Sequence, residues 1–339
     1  MPRFLVAVFG LALPLWLACG ASHAQFPSGP VRIVVPYPAG GVSDLATRAL
    51  APGLSAALGS PVVVENLPGA SGLVATHKVS QSPPDGHTVL MHQGTLALYP
   101  GLIRSTSFDP LQILEPLGVF AEVPLIVVGK PGLTARSVAE LARQDTPVPA
   151  SPGPGSLSHV CTLMVIRAAG IAARDIVHYR GTGPALIDLM SGQTDFMCIE
   201  ATGADAQIAA GRLKRLGQPE PPASNWFGLY APKGTPPDRI ARINEAIRSA
   251  ARGDAVLANL QHASGTAVRD ERSRPEGHRQ FMQREIARWT PPAVASGSTL
   301  DMPPMNAPTA PPAAAPSHSP QGASPSGASA SRGGSGVLD

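Results

Sequence analysis

The chain has 339 residues, ample for two α/β domains, and its 26 Lys and Arg against 23 Asp and Glu leave a formal net charge of +3. That charge is scattered and aromatic residues make up only 4%, so a nucleic-acid partner is not expected. Beyond the first apolar stretch, no segment approaches the roughly 18 consecutive apolar residues of a membrane-spanning helix.

In chain order, residues 1–24 read as a secretory signal: Arg3 is the basic start, Phe4 to Ala18 is nearly unbroken apolar sequence, and Ser22-His23-Ala24 offers small residues for cleavage. The mature chain is then expected to begin near Gln25, in the periplasm. A lipid anchor at Cys19 is disfavoured by the bulky Trp16 upstream of it. Cleavage leaves Cys161 and Cys198, each in an apolar run. An oxidising compartment permits a bridge between them, but two separately buried thiols are the expectation.

Val31 to Val35 is a β-branched run closed by Pro36 and reads as a buried strand. The following PYPAGGVSD, Pro36 to Asp44, puts Gly40 and Gly41 at a tight turn, with Ser43 or Asp44 placed to cap the next helix. A helix start of this kind attracts anions. Ser43 to Leu58 is periodic at helical spacing, with Pro52 predicting a kink or a split, and Pro61 to Val64 completes a βαβ unit. A Gly-rich loop at Pro68 to Gly72, a helical run to Val79 and strands at Thr88 to Met91 and Leu125 to Val128 continue the pattern. Ser137 to Arg143 is helical. ASPGPGSLSH, Ala150 to His159, repeats the Gly-Ser loop at the start of a helix from Leu157 to Ala169. A strand at Asp175 to Tyr179, a helix at Pro184 to Met190, a strand at Phe227 to Tyr230 and helices from Pro236 and from Pro275 to Trp289 follow. This alternation predicts a doubly wound α/β fold. From Thr290 to Asp339 the chain is Pro, Ala, Ser and Gly with almost no large apolar residue, the composition of a disordered tail.

The recognisable catalytic signatures are missing: there is no G-x-S-x-G, no phosphate loop, no H-E-x-x-H and no metal-ligand spacing. Ser156 and His159 lack a third orienting group, so neither an enzyme nor a bound cofactor is expected. Asp44 reads as a helix cap, and Glu200 either faces a cleft or ends its strand in water.

Six segments in order carry a likeness: PSGPVRIVVPYPAGGVSDLATRAL, LGSPVVVENLPGASG, PPDGHTVLM, SPGPGSLSH, HYRGTGPALIDLMSGQTDFM and WFGLYAPKGTP. Together they resemble the Bug family of extracytoplasmic solute receptors, the binding proteins of tripartite tricarboxylate transporters. The resemblance implies a type II periplasmic binding protein fold with a ligand cleft between two α/β lobes, one of residues 25–122 and 226–289, the other of 123–225. It implies capture of a small carboxylate by a monomer that hands it to a membrane permease, or, alternatively, that docks on a membrane sensor. The loop with Tyr37, Ala39, Gly40, Gly41, Ser43 and Asp44 and the loop with Gly155, Ser156, Ser158 and His159 are implied to clamp the carboxylate. Thr95 and the segment Tyr179 to Thr182, with Gly181 and Thr182, look like further cleft positions by this resemblance, and Glu200 is a candidate beside them. Leu67 and Leu73 depart from the family pattern, which usually has Arg and Asn there. The stretch from Leu213 to Trp226 is short, which predicts a missing edge strand. The likeness ends at Trp289, and the tail after it has the composition of an out-of-frame reading of a GC-rich gene.

Overall fold

A computed structural model describes residues 26–103 and 108–300, all within one compact unit. The expected signal, residues 1–24, and most of the Pro/Ala/Ser/Gly tail lie outside the described residues.

The first strand, β1 (Val31–Val35), is buried everywhere except at Arg32, and α1 (Val42–Leu58) and β2 (Val62–Asn66) complete the expected βαβ unit. Next come α2 (Leu73–Ser80), β3 (Thr88–Gln93), α3 (Tyr99–Leu102) and α4 (Pro110–Ile113). The long β4 (Leu114–Gly129) leads to α5 (Val138–Leu141), β5 (Ala150–Ser151), α6 (Leu157–Ala169) and β6 (Val177–His178). Then α7 (Thr182–Ser191), β7 (Phe196–Glu200), α8 (Ala201–Ala209), β8 (Lys214–Gly217) and β9 (Ser224–Pro232) follow. Finally α9 (Pro237–Ala250), α10 (Asp254–His262), β10 (Thr266–Ala267) and α11 (Pro275–Ala295) close the described chain.

The main sheet has the order β10-β4-β9-β3-β1-β2, and Ile33 of β1 stands opposite Val64 of β2 and Val89 of β3 in parallel register. Helices cover both faces. Val31, Ile33 and Val35 point into one apolar cluster with Leu50, Leu54 and Ile247, whereas Val34 points into the other with Leu73, Tyr99 and Trp289. Strands sandwiched in this way read as continuous apolar runs.

The strand β4 joins the two lobes. Its first part, Leu114 to Pro124, pairs antiparallel with β9, and its last part, Leu125 to Gly129, pairs antiparallel with β7, with β8 alongside. Sequence patterning finds only its end because Pro116, Gly118 and Pro124 look like breakers. Register shifts between Pro116 and Gly118 and between Val119 and Ala121 absorb the irregularity, with Gly118 at φ +145°.

Four expectations are corrected. The helix α1 passes through Pro52 unbroken; the proline is exposed, so water can serve the carbonyl that loses its partner. The edge strand expected to be missing is present as β8. Cys161 and Cys198 are joined in a disulfide with Cα atoms 5.8 Å apart, tying α6 to β7, rather than standing as two free thiols. The last helix does not stop at Trp289 but continues through Pro291 and Pro292 to Ala295, with Ala293 fully buried. Leu67 and Leu73, for their part, sit in apolar packing.

Candidate functional site

Open α/β sheets bind ligands outside the carboxyl ends of their parallel strands. Here the chain leaves β1 at Tyr37 and Pro38 and β3 at Gln93, and these residues form one wall of a cleft of about 570 Å³. Gly41, Val42 and Ser43 at the head of α1 extend it. The opposite wall is Gly181 and Thr182 at the head of α7 and Ile199, Glu200, Thr202 and Gly203 around the head of α8, and Val123, Asn225 and Phe227 from the crossing strands make the floor.

Three helices therefore begin at this cleft. Their N-cap residues are Gly41, Gly181 and Glu200, and none of the three makes a side-chain capping bond. The first N–H groups of a helix have no partner within it, and the helix dipole adds partial positive charge there. Among the described residues no Lys, Arg or His lines the cleft, and these helix heads supply it with partial positive charge.

A hydrogen-bond chain orders the polar side chains. Ser43 Oγ donates to Gln93 Oε1 (2.9 Å), which also accepts from Asn225 Nδ2 (3.2 Å). Asn225 Nδ2 further donates to Glu200 Oε1 (3.2 Å), and its Oδ1 accepts from Gly94 N (2.9 Å), which fixes the amide orientation. Enclosure pushes the Glu200 carboxyl above its ordinary range, against the opposing effects of its own N–H and of Asn225. The Tyr37 hydroxyl is enclosed beside Thr95 and Gln93, and burial holds its proton on firmly.

Of the residues singled out in the sequence, the cleft brings together Tyr37, Gly41, Ser43, Gly181, Thr182 and Glu200. Ala39 and Gly40 lie exposed on the same turn without lining it. Asp44 turns inward: its Oδ2 accepts from Gly40 N (2.8 Å), while Arg48 Nε and Asn66 Nδ2 donate to Oδ1 (both 2.9 Å). Burial pushes this carboxyl up, but Arg48, the Gly40 N–H and Asn66 together hold it below its usual value. Thr95 is buried in the turn after β3.

The second loop is not among the residues lining this cleft. A Cβ on Gly94 would meet Leu157 Cδ2 at 3.2 Å, so the head of α6 packs behind Gly94. Gly155 looks toward Leu102 and Ser298 instead. Ser156 caps α6 by accepting from His159 N (3.1 Å), and Ser158 is buried. His159 Nδ1 accepts from Gly155 N (3.1 Å), with its ring edge-on to His178 at 4.7 Å; burial, then the His178 neighbour, lower its pKa to about 4. Gly155, Ser156 and His159 bond among themselves in one turn, and neither they nor Ser158 are among the residues lining this cleft.

Sequence reading missed Gln93, Asn225 and Phe227. Gln93 ends a strand that seemed to stop at Met91. Asn225 falls in the stretch read as a shortened crossover, where nothing local marks it as facing the cleft.

Comparison with known proteins gives a consistent set of likenesses. The family model described as "Tripartite tricarboxylate transporter family receptor" matches residues 46–221. Protein BugT of Bordetella pertussis is 31% identical over 327 residues, covering 87% of this chain and 98% of BugT. Among solved structures, the periplasmic binding protein BugD superposes with a TM-score of 0.65 at 25% identity, covering 81% of this chain and 100% of BugD. MatC from Rhodopseudomonas palustris, solved with bound malate, superposes with a TM-score of 0.66 at 27% identity, covering 79% of this chain and 100% of MatC.

Proposed function

The chain belongs to the tripartite tricarboxylate transporter receptor family, and from that premise we propose that it is a periplasmic receptor that captures a small carboxylate for a membrane permease. The observation that carries this reading is the convergence of three helix heads without side-chain caps on one cleft that, among the described residues, is lined by no basic side chain. Main-chain N–H groups at the heads of α1 and α7 take the ligand's carboxylate. Each helix head contributes about 0.3–1 kcal/mol when exposed and up to ~2 kcal/mol when partly buried. Bringing the lobes together strengthens both by excluding water. The strands β4 and β9, which run beside each other from one lobe toward the other, are the natural hinge, and the lobes divide at residues 122/123 and 225/226. MatC, with malate in its structure, gives the carboxylate reading its support among solved relatives. Binding and release are the whole of the activity; the cleft residues serve to hold a ligand and not to transform it.

Thr182→Asp tests this. An acidic residue at the first position of α7 favours the helix itself but sets a negative charge in the cleft. The free variant should unfold at or slightly above the wild-type temperature. It should lose the stabilisation that a bound carboxylate confers, RT ln(1 + [L]/Kd), in a thermal-shift screen. Unchanged carboxylate affinity in Thr182→Asp would remove this cleft as the anion site.

A further inference from the structure

Besides the Tyr37 phenol, which keeps its proton, Glu200 is the one ionisable side chain lining the cleft. The Asn225 amide donates both to Gln93, which also accepts from Ser43, and to Glu200. Because Gly94 N donates to Asn225 Oδ1, the Asn225 Nδ2 group faces Glu200, which accepts from it. An ionised carboxylate has about four acceptor sites, and Asn225 is the only side chain donating to it among the described residues. No lysine, arginine or histidine in the lining could neutralise it, or a second anionic group on a ligand. Val42, Val123, Ile199 and Phe227 supply an apolar wall, and about 570 Å³ leaves room for an apolar body beside the anionic group.

We propose that Glu200 makes this cleft select monocarboxylates that carry a hydrogen-bond donor, a hydroxyl or an ammonium, on an apolar body, and disfavour those with a second carboxylate. The inference rests on the carboxylate-receptor reading above. A bare carboxylate leaves Glu200 facing an anion with its acceptor sites unfilled, whereas a donor on the ligand fills one of them and offsets the repulsion. A hydrogen bond to a charged group discriminates by about tenfold or more in Kd.

Four probes of matched body separate the cases by calorimetric titration: phenylalanine, phenyllactate, 3-phenylpropionate and benzylsuccinate. The first two should bind at least about tenfold more tightly than phenylpropionate, with benzylsuccinate weakest. In Glu200→Gln that preference should contract to within a few-fold. Acidification gives a second readout that needs no variant. Protonating Glu200 removes its negative charge and part of its acceptor capacity, so phenylalanine should bind more weakly as the pH falls and phenylpropionate more tightly. The group facing Glu200 from the turn after β1 is Tyr37, which stays protonated. Thr182 on α7, Val123 on β4 and Asn225 on β9 do not titrate. If carboxylates bind without this preference, if Glu200→Gln retains it, or if both ligands respond to pH in the same sense, donor selection is overturned while the receptor reading stands. If none of the four probes nor any carboxylate in the wider thermal-shift screen binds, both fall. Should Glu200→Gln not fold, the wild-type ratios and their pH dependence decide.

Discussion

Asp44, read from the sequence as a helix cap, serves the start of α1 from its first turn. It sits in the first turn of α1 and gathers the Gly40 N–H, Arg48 and Asn66, so that the turn holding Gly41 and Ser43 at the cleft is fixed from behind. Replacing it by asparagine should cost about 2 kcal/mol at neutral pH, since bonds to a charged acceptor are lost together with the favourable charge at a helix head. The folded pKa is lowered, so this contribution is fully present above the ordinary aspartate value and is lost as the pH falls through the lower folded value. Urea midpoints of wild type and Asp44→Asn should therefore differ by a constant amount near neutrality and approach one another below about pH 4. A gap that persists unchanged to pH 3.5 would contradict this role.

Among the elements, α11 departs furthest from what its composition suggests. A segment containing Pro291 and Pro292 should end a helix, yet the helix runs on through them, with Ala293 buried against α3. The contact is close enough that a Cβ on Gly101 would stand 2.7 Å from Ala293 Cβ and 2.8 Å from Thr290 O. The segment after the helix also returns to this neighbourhood, with Leu300 N donating to Leu102 O at 2.7 Å. Gly101→Ala should accordingly destabilise by about 1–3 kcal/mol through overpacking, measured by chemical unfolding. A loss below a few tenths of a kcal/mol would show that residues 290–295 do not pack there, as their composition first suggested. The missed extent of β4 has a similar origin: its prolines and glycine break a local pattern, but its neighbours β9, β7 and β8 hold it as one strand.

The whole molecule carries an acid sensitivity in its interior. Burial holds His92 and His159 at about pKa 4 and His278 at about 3, with His178 and Arg279 adding to the effect on the last two. The geometry agrees for two of them: His159 Nδ1 accepts from Gly155 N and His278 Nδ1 accepts from Gly118 N, bonds that exist only while that nitrogen is unprotonated. With folded values below the unfolded imidazole value of about 6.5, the unfolded chain binds more protons, so stability rises with pH in this window. Each refused proton contributes up to about 1.4 kcal/mol per pH unit. Stability should be full above about pH 7 and decline steadily from about 6.5 toward 4, seen as a falling melting temperature. A melting temperature that stays flat between pH 7 and pH 5 would overturn this account.

The sequence by itself determined the βαβ opening, the helix Leu157–Ala169, the family likeness and six of the fifteen residues lining the cleft, because β-branched runs, helical spacing and glycine-serine turns are set by neighbours along the chain. Tyr37, Gly41, Ser43, Gly181, Thr182 and Glu200 were legible for that reason. Only the tertiary structure decided that Gln93 and Asn225 complete the cleft, that Leu157 at the head of α6 packs behind Gly94, and that Cys161 meets Cys198. Each of these depends on contacts between residues far apart in the chain. Packing across a crossing strand and a buried turn fixes them, and no local spacing records it.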